Sequence, residues 1–227
     1  MNLIEVLILA IVQGITEWLP ISSSGHLAII QQYFGLNVPV LFDVILHVGT
    51  LLVVMVVFRK DIVKIFRIVA RFDFKIEEGK LALYIILGSV PTALIGFLFE
   101  ETIESFFSNL LVIGYAFIAT GVILYLSKLP KNKNRLLNYL DALLIGTAQG
   151  IALIPGISRS GVTISTGLLR HVKKEKAFQY SFLLFIPAVI GATVRTSVKE
   201  WHNLAVANID VASIVGTLLA DIFPCST

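Results

Sequence analysis

Leu19-Pro20-Ile21-Ser22-Ser23-Ser24-Gly25 interrupts an apolar run near the start of the chain, and Pro155-Gly156-Ile157-Ser158-Arg159-Ser160-Gly161 interrupts another much later. The first break separates apolar residues 3–18 from 27–33, and the second separates 136–154 from 162–169. Pro, Gly and Ser clusters between apolar stretches end helices. Non-helical backbone at membrane depth persists only where protein or a watery cavity satisfies its polar groups. Each interrupted segment is therefore expected to be a re-entrant helical hairpin lining a cavity.

The two breaks are related. At an offset of 136, Gln13-Gly14-Ile15 matches Gln149-Gly150-Ile151, and Ile21-Ser22-Ser23-Ser24-Gly25 matches Ile157-Ser158-Arg159-Ser160-Gly161. The identities fall on both breaks without a gap, which predicts an internal repeat.

The composition says what surrounds these hairpins. Of 227 residues, 56% are hydrophobic and only 15% charged, and the mean hydropathy is +0.88. A soluble domain carries about a quarter charged residues, so this chain lacks the polar surface to cover a water-facing globule. A soluble enzyme, a disordered chain and a disulfide-stapled secreted module are excluded, and the predicted class is an all-α polytopic membrane protein. The net charge of +3 reads as cations gathered on one side of a membrane rather than as a nucleic-acid surface. The single cysteine, Cys225, can form no internal disulfide. The N-terminus has no cation ahead of its apolar run and reads poorly as a signal peptide.

Runs close to the roughly 20 residues that cross a bilayer lie at 40–58, 81–99, 110–127 and 177–194. Arg59, Lys60, Lys64, Arg67, Arg71, Lys75 and Lys80 crowd one loop, and Lys128, Lys131, Lys133 and Arg135 another. Two runs separate these loops, which places both on one side, the cytoplasmic one by charge bias. Glu100, Glu101 and Glu104 lie between the same runs and read as a solvated outer face. Tracing the chain from these anchors makes the two hairpins enter from opposite faces. Opposite entry with sequence similarity predicts inverted repeats whose broken helices meet near the midplane. The expected organisation is one membrane domain over 1–227, with repeat one about 1–127 and repeat two about 136–227. The last apolar run, 209–223, is short for a span, so repeat two is expected to be incomplete and the C-terminal spans truncated.

Gln13 and Glu17 stand four apart and share one helical face. A carboxylate within the bilayer is costly and by default functional. Ser22, Ser23, Ser24 and Gly25 follow, with His26 opening the returning half-helix. The second break offers Ser158, Arg159, Ser160, Gly161 and, a little further on, Thr163. Helix N-termini attract anions, and a guanidinium presents a fixed fork of donors to phosphate oxygens. An acid, an imidazole, hydroxyls, a guanidinium and two helix N-termini together suit a phosphate group. Plainer readings stand beside this one. Glu17 and Arg159 also read as a structural ion pair, the serines as backbone partners and His26 as a cap. His47, one turn after Asp43, reads as a packed residue, Trp18 as a packing aromatic and His202 as a surface residue.

The stretch 13–26 and Pro155-Gly156-Ile157-Ser158-Arg159-Ser160-Gly161-Val162-Thr163 resemble the paired signatures of the undecaprenyl-diphosphate phosphatase family, the bacitracin-resistance phosphatases. The likeness extends to 42–44, 47–51 and 181–187, with Gln13 as an accepted variant at the first position of the family's acidic motif. The resemblance implies an integral enzyme of the bacterial inner membrane that hydrolyses undecaprenyl diphosphate to the monophosphate carrier of peptidoglycan synthesis, acting on the extracytoplasmic face and conferring bacitracin resistance. It implies catalytic roles for Glu17, Ser23, His26 and Arg159 and substrate contacts from Gln13, Ser22, Ser24, Gly25, Ser158, Ser160, Gly161 and Thr163. It also implies a divalent cation; hard cations prefer oxygen ligands, so Glu17 with Gln13 holding Mg2+ or Ca2+ is the alternative to Glu17 acting as a base. The expected partners are the polyprenyl diphosphate lipid and the membrane, with no nucleic acid and with homo-oligomer formation left open. Ser23 as nucleophile, with His26 or Glu17 as base, and a metal-bound water are both open routes. Broken-helix repeats also build transporters, so a carrier or flippase for an anionic lipid is the rival reading, and an inactive remnant the other.

Overall fold

The computed structural model describes residues 3–36, 38, 40–130 and 134–199. Among these residues it is all-helical, with ten helices: α1 Leu3–Trp18, α2 Ser23–Tyr33, α3 Val40–Val57, α4 Arg59–Ala70, α5 Glu77–Leu98, α6 Glu100–Phe106, α7 Leu110–Leu126, α8 Tyr139–Ile151, α9 Arg159–Leu169 and α10 Lys174–Lys199. The expected C-terminal run 209–223, with Cys225 and His202, lies outside the described residues.

Helices α5 and α10 are each long and apolar enough to cross a membrane. Two further spans are reached if the bent pairs α3–α4 and α6–α7 each count as one. The chain is an integral membrane protein by this apolar inventory. Large apolar side chains such as Ile86, Phe97, Leu111 and Tyr115 are exposed on the outside of the bundle, as lipid rather than water demands.

Both breaks fall where Pro, Gly and Ser place them. Helix α1 ends at Trp18 and α2 starts at Ser23, four residues ahead of the apolar run that resumes at 27. Helix α9 likewise starts at Arg159, ahead of 162. The polar residues are thus not linker but the first turns of the half-helices. The reason is capping: the Ser22 hydroxyl accepts from the Gly25 N–H at 3.4 Å and the Ser158 hydroxyl from the Gly161 N–H at 3.1 Å, satisfying donors that a helix start leaves orphaned. Adding 136 to the bounds of α2 reproduces those of α9, and adding it to the start of α1 reproduces the start of α8.

Small residues draw the helices together. A Cβ placed on Gly146 of α8 would lie 2.1 Å from the Gly88 carbonyl oxygen of α5, so these backbones are in direct contact. The Thr92 hydroxyl ties them by donating to the Gly146 carbonyl at 2.8 Å. Helix α10 packs on α3, where Phe182, Phe185 and Val189 meet Leu51, Val54 and Phe58. Trp18 stacks on Phe182 with ring centroids 5.1 Å apart.

Two expected loops contain helices. The cationic stretch after α3 forms α4, and the acidic one after α5 forms α6. Glu100 and Glu104 are not simply a solvated face, since Glu100 pairs with Arg195 and Lys199 of α10, and Glu104 with Lys199. Charge counting alone hides such short surface helices, because it scores the side of the membrane and not the helical spacing of the apolar residues.

Candidate active site

Helix α1 carries Gln13 and Glu17 inward on one face, both buried. The chain then turns through Ser22, whose φ of 67° and ψ of 97° put a residue with a side chain in left-handed backbone space. Such geometry costs about 1–3 kcal/mol and gathers at functional sites. Its effect is to return the chain so that Ser23, the first residue of α2, reaches back to α1. The Ser23 hydroxyl donates to Glu17 Oε2 in a short hydrogen bond. Gln13 Nε2 donates to the same oxygen at 3.1 Å.

The other carboxylate oxygen is taken from the far end of the chain. Arg159, the first residue of α9, brings Nη2 to 2.5 Å from Glu17 Oε1. Its guanidinium lies over the Phe185 ring at 3.7 Å and near that of Phe182 at 5.7 Å. These π faces supply cation stabilisation in a site largely closed to water. The second guanidinium nitrogen, Nη1, is buried and has no hydrogen-bond partner among the described residues. The Gln13 carbonyl Oε1 is orphaned in the same way. One unused donor and one unused acceptor beside a carboxylate–guanidinium pair mark a place for a polar group that is not part of the chain.

The two breaks touch. A Cβ on Gly25 would lie 2.8 Å from the Cα of Gly156 and 2.7 Å from the Phe117 ring, so only glycine fits. Gly156 itself has a φ of 94°, which favours glycine outright. Helix α7 braces the second break: Thr120 Oγ1 donates to the Gly156 carbonyl and accepts from the Ser158 N–H, each at 3.1 Å.

The remaining expected residues divide into groups. Ser22 and Ser24 face one another at 3.3 Å, and Ser160 and Gly161 are buried in the first turn of α9. Thr163 turns away toward α10, where its hydroxyl lies 2.5 Å from that of Ser181. His26 Nδ1 bonds to the Ser22 carbonyl at 2.7 Å and its ring meets the edge of Phe117. Neither contact reaches Ser23, whose hydroxyl is held by Glu17 instead.

His47, which the sequence reads as a packed residue, lies beside Glu17. Its Nε2 lies 3.6 Å from Glu17 Oε2. Its Nδ1 bonds to the Asp43 backbone carbonyl at 2.7 Å; a carbonyl only accepts, so Nδ1 carries a proton. One sequence signal was present, the 43/47 spacing on α3, but nothing local said that α3 would lie against α1.

A divalent cation asks for oxygen ligands. Among the described residues no three His, Cys, Asp or Glu side chains gather. The Glu17 carboxylate, the Gln13 carbonyl and the Ser23 hydroxyl are oxygen donors of the kind such an ion takes, and they are the residues that would hold one. They fit an ion whose remaining ligands come from substrate phosphates, as is usual for Mg2+.

Residues 6–226 match the family described as bacitracin resistance protein BacA. The chain belongs to this family. Among related proteins, the undecaprenyl-diphosphatase of Carboxydothermus hydrogenoformans is 45% identical over 212 residues, covering 90% of this chain and 78% of that protein. The undecaprenyl-diphosphatase of Halothermothrix orenii is 40% identical over 225 residues, covering 97% and 84%, and that of Thermosipho africanus is 41% identical over 215, covering 93% and 86%. The family match includes both breaks and runs through 209–223. These relatives are named as diphosphatases, not as carriers.

Proposed function

We propose that this member of the family hydrolyses undecaprenyl diphosphate to undecaprenyl phosphate and inorganic phosphate, recycling the lipid carrier of cell-wall synthesis and thereby resisting bacitracin. The observation that carries this reading is the Glu17–Arg159 pair, closed across two broken helices, with a hydroxyl on its carboxylate and an unused donor on its guanidinium. The related diphosphatases support it.

In this reading Arg159 holds the terminal phosphate through Nη1, aided by the first-turn N–H groups of α2 and α9. Charge developing on the transferred phosphoryl group is the main thing to stabilise. The Ser23 oxygen attacks the terminal phosphorus, its proton passes to Glu17 Oε2, and undecaprenyl phosphate leaves. Glu17 passes that proton to the departing phosphate; water then cleaves the phosphoserine, giving a proton to Glu17, which returns it to the Ser23 oxygen as inorganic phosphate leaves. As the phosphate takes up the guanidinium, Glu17 loses part of its counter-charge and becomes the stronger base. In the alternative route Glu17 with Gln13 would hold a Mg2+ or Ca2+ ion that neutralises diphosphate charge, in place of acting as the base.

The pocket is read as lying near the bilayer midplane between inverted repeats. None of α1, α2, α8 and α9 exceeds 16 residues, roughly 24 Å at 1.5 Å per residue against a hydrocarbon core of about 30 Å. Re-entrant hairpins need no more length than that, and the shared 136-residue offset of their helix bounds supports repetition. The enzyme is assigned to the bacterial inner membrane with the site open to the extracytoplasmic face. Phosphate release by purified protein from undecaprenyl diphosphate tests the reaction. Release that disappears in Arg159→Ala and Glu17→Ala supports it; no release, beside vectorial movement of lipid phosphate in vesicles, overturns it.

A further inference from the structure

Helix α4 is set across α3 rather than along it. Its axis is bent 77° from the Phe42–Val57 part of α3, so a membrane crossed by α3 has α4 lying close to its plane. The helix has three faces. Ile62 and Ile65 turn inward onto the cluster that contains Phe58, Phe182 and Phe185. Val63 and Phe66 are 53% and 70% exposed, and Phe72 just beyond the helix end is 81% exposed. Lys60, Lys64, Arg67 and Arg71 form the third face, spaced i, i+4, i+7 and i+11, which aligns them in one stripe.

All four cations are exposed, and among the described residues none has an acidic partner. The helix's own acid, Asp61, accepts from Gln179 of α10 at 2.9 Å and is turned away from the stripe. The opposite end of α5 shows the contrast. There two of the three glutamates of α6, Glu100 and Glu104, are met by Arg195 and Lys199 of α10, so the charge at that end is largely balanced within the protein. At the α4 end it is not.

We propose that α4 is a membrane-surface helix whose Lys60–Lys64–Arg67–Arg71 stripe binds the phosphate groups of anionic phospholipids, with Val63, Phe66 and Phe72 seated in the acyl boundary beside them. An exposed aromatic flank next to a row of unneutralised cations, on a helix bent 77° from α3, is the arrangement by which a helix lies in the interface. Charge complementarity selects the occupant: the stripe demands anions, and the flanking apolar face demands that those anions be lipid. A soluble polyanion would satisfy the first and leave Phe66 and Phe72 in water.

The test is thermal unfolding of the full chain in mixed micelles containing phosphatidylglycerol or phosphatidylcholine. Wild type is expected to melt higher in phosphatidylglycerol by about 4 °C or more, and high salt should remove the difference. The variant Lys60→Gln/Lys64→Gln/Arg67→Gln/Arg71→Gln should lose the difference while keeping its phosphatidylcholine midpoint. If the fourfold variant fails to fold, Lys60→Gln/Lys64→Gln and Arg67→Gln/Arg71→Gln should each lose about half of it. Equal midpoints for wild type in the two lipids, a difference retained in the variants, or protection by a soluble oligonucleotide equal to that by phosphatidylglycerol would each overturn the proposal.

Discussion

Glu17 and Arg159, separated by 142 positions in the chain, meet at 2.5 Å between Oε1 and Nη2. Each side chain belongs to a different broken helix, and each would be a stranded charge without the other. Removing one partner of a buried pair leaves an uncompensated charge, at a cost of about 3–5 kcal/mol. Arg159→Ala and Glu17→Ala should therefore lower the thermal midpoint as well as turnover. Arg159→Lys, which keeps the charge and loses the fork, should restore most of the midpoint but little of the turnover. Thermal unfolding beside phosphate release separates the two effects; equal recovery of both would make the fork irrelevant.

Ser23 shares the other oxygen of the same carboxylate. Ser23→Ala should lower kcat by at least about 100-fold, since it removes the attacking oxygen. Rapid quenching of wild type with radiolabelled substrate should leave label on Ser23. Unchanged turnover in the alanine variant would exclude this nucleophile.

His47 touches Glu17 without belonging to either break. His47→Gln should lower kcat about 5- to 30-fold, the loss of one interaction of about 1–2 kcal/mol, with KM little changed. Steady-state kinetics at several substrate concentrations checks it. A rise in KM alone would place His47 in substrate binding instead.

The breaks and the charges within them were legible from the sequence for a simple reason. Pro20, the serines and Gly156 end helices through local geometry, and a carboxylate or guanidinium in an apolar run stands out against its surroundings. The helix bounds at the two breaks need only local capping by Ser22 and Ser158. His47 and Thr120 were not legible as site or bracing residues, because their partners belong to other helices and no local pattern encodes that α3 lies on α1 or α7 on the second break. Helix α4 was concealed by its own charge, although the apolar spacing of Ile62, Ile65, Phe66 and Val69 was a helical signal. Glu17 rather than His26 as the partner of Ser23 follows from the left-handed turn at Ser22, a conformation the sequence does not announce.

The glycines at the junction have no room to change. Gly25→Ala would drive a methyl against Gly156 and Phe117, an overpacking that costs about 1–3 kcal/mol and would separate the breaks. The thermal midpoint should fall, and turnover should fall further than the midpoint explains. Gly114→Ala, where a Cβ meets nothing within 4 Å, is the control and should leave both unchanged.

Away from the site, Asp141 at the start of α8 is wholly buried between Arg135 at 2.7 Å and Arg170 at 3.1 Å and completes a capping box with Asn138. Asp141→Ala should cost about 3 kcal/mol or more, read as a lowered midpoint with kcat per folded molecule largely preserved. A variant as stable as wild type would show the cluster to be dispensable.

The most direct measurement is a double-mutant cycle on phosphate release from undecaprenyl diphosphate, using Glu17→Ala, Arg159→Ala and the pair together. Groups that act as one unit lose their effect once, not twice, so the double variant should be no slower than the slower single variant. Losses that multiply, or either single variant turning over at the wild-type rate, would contradict a shared site for these two side chains.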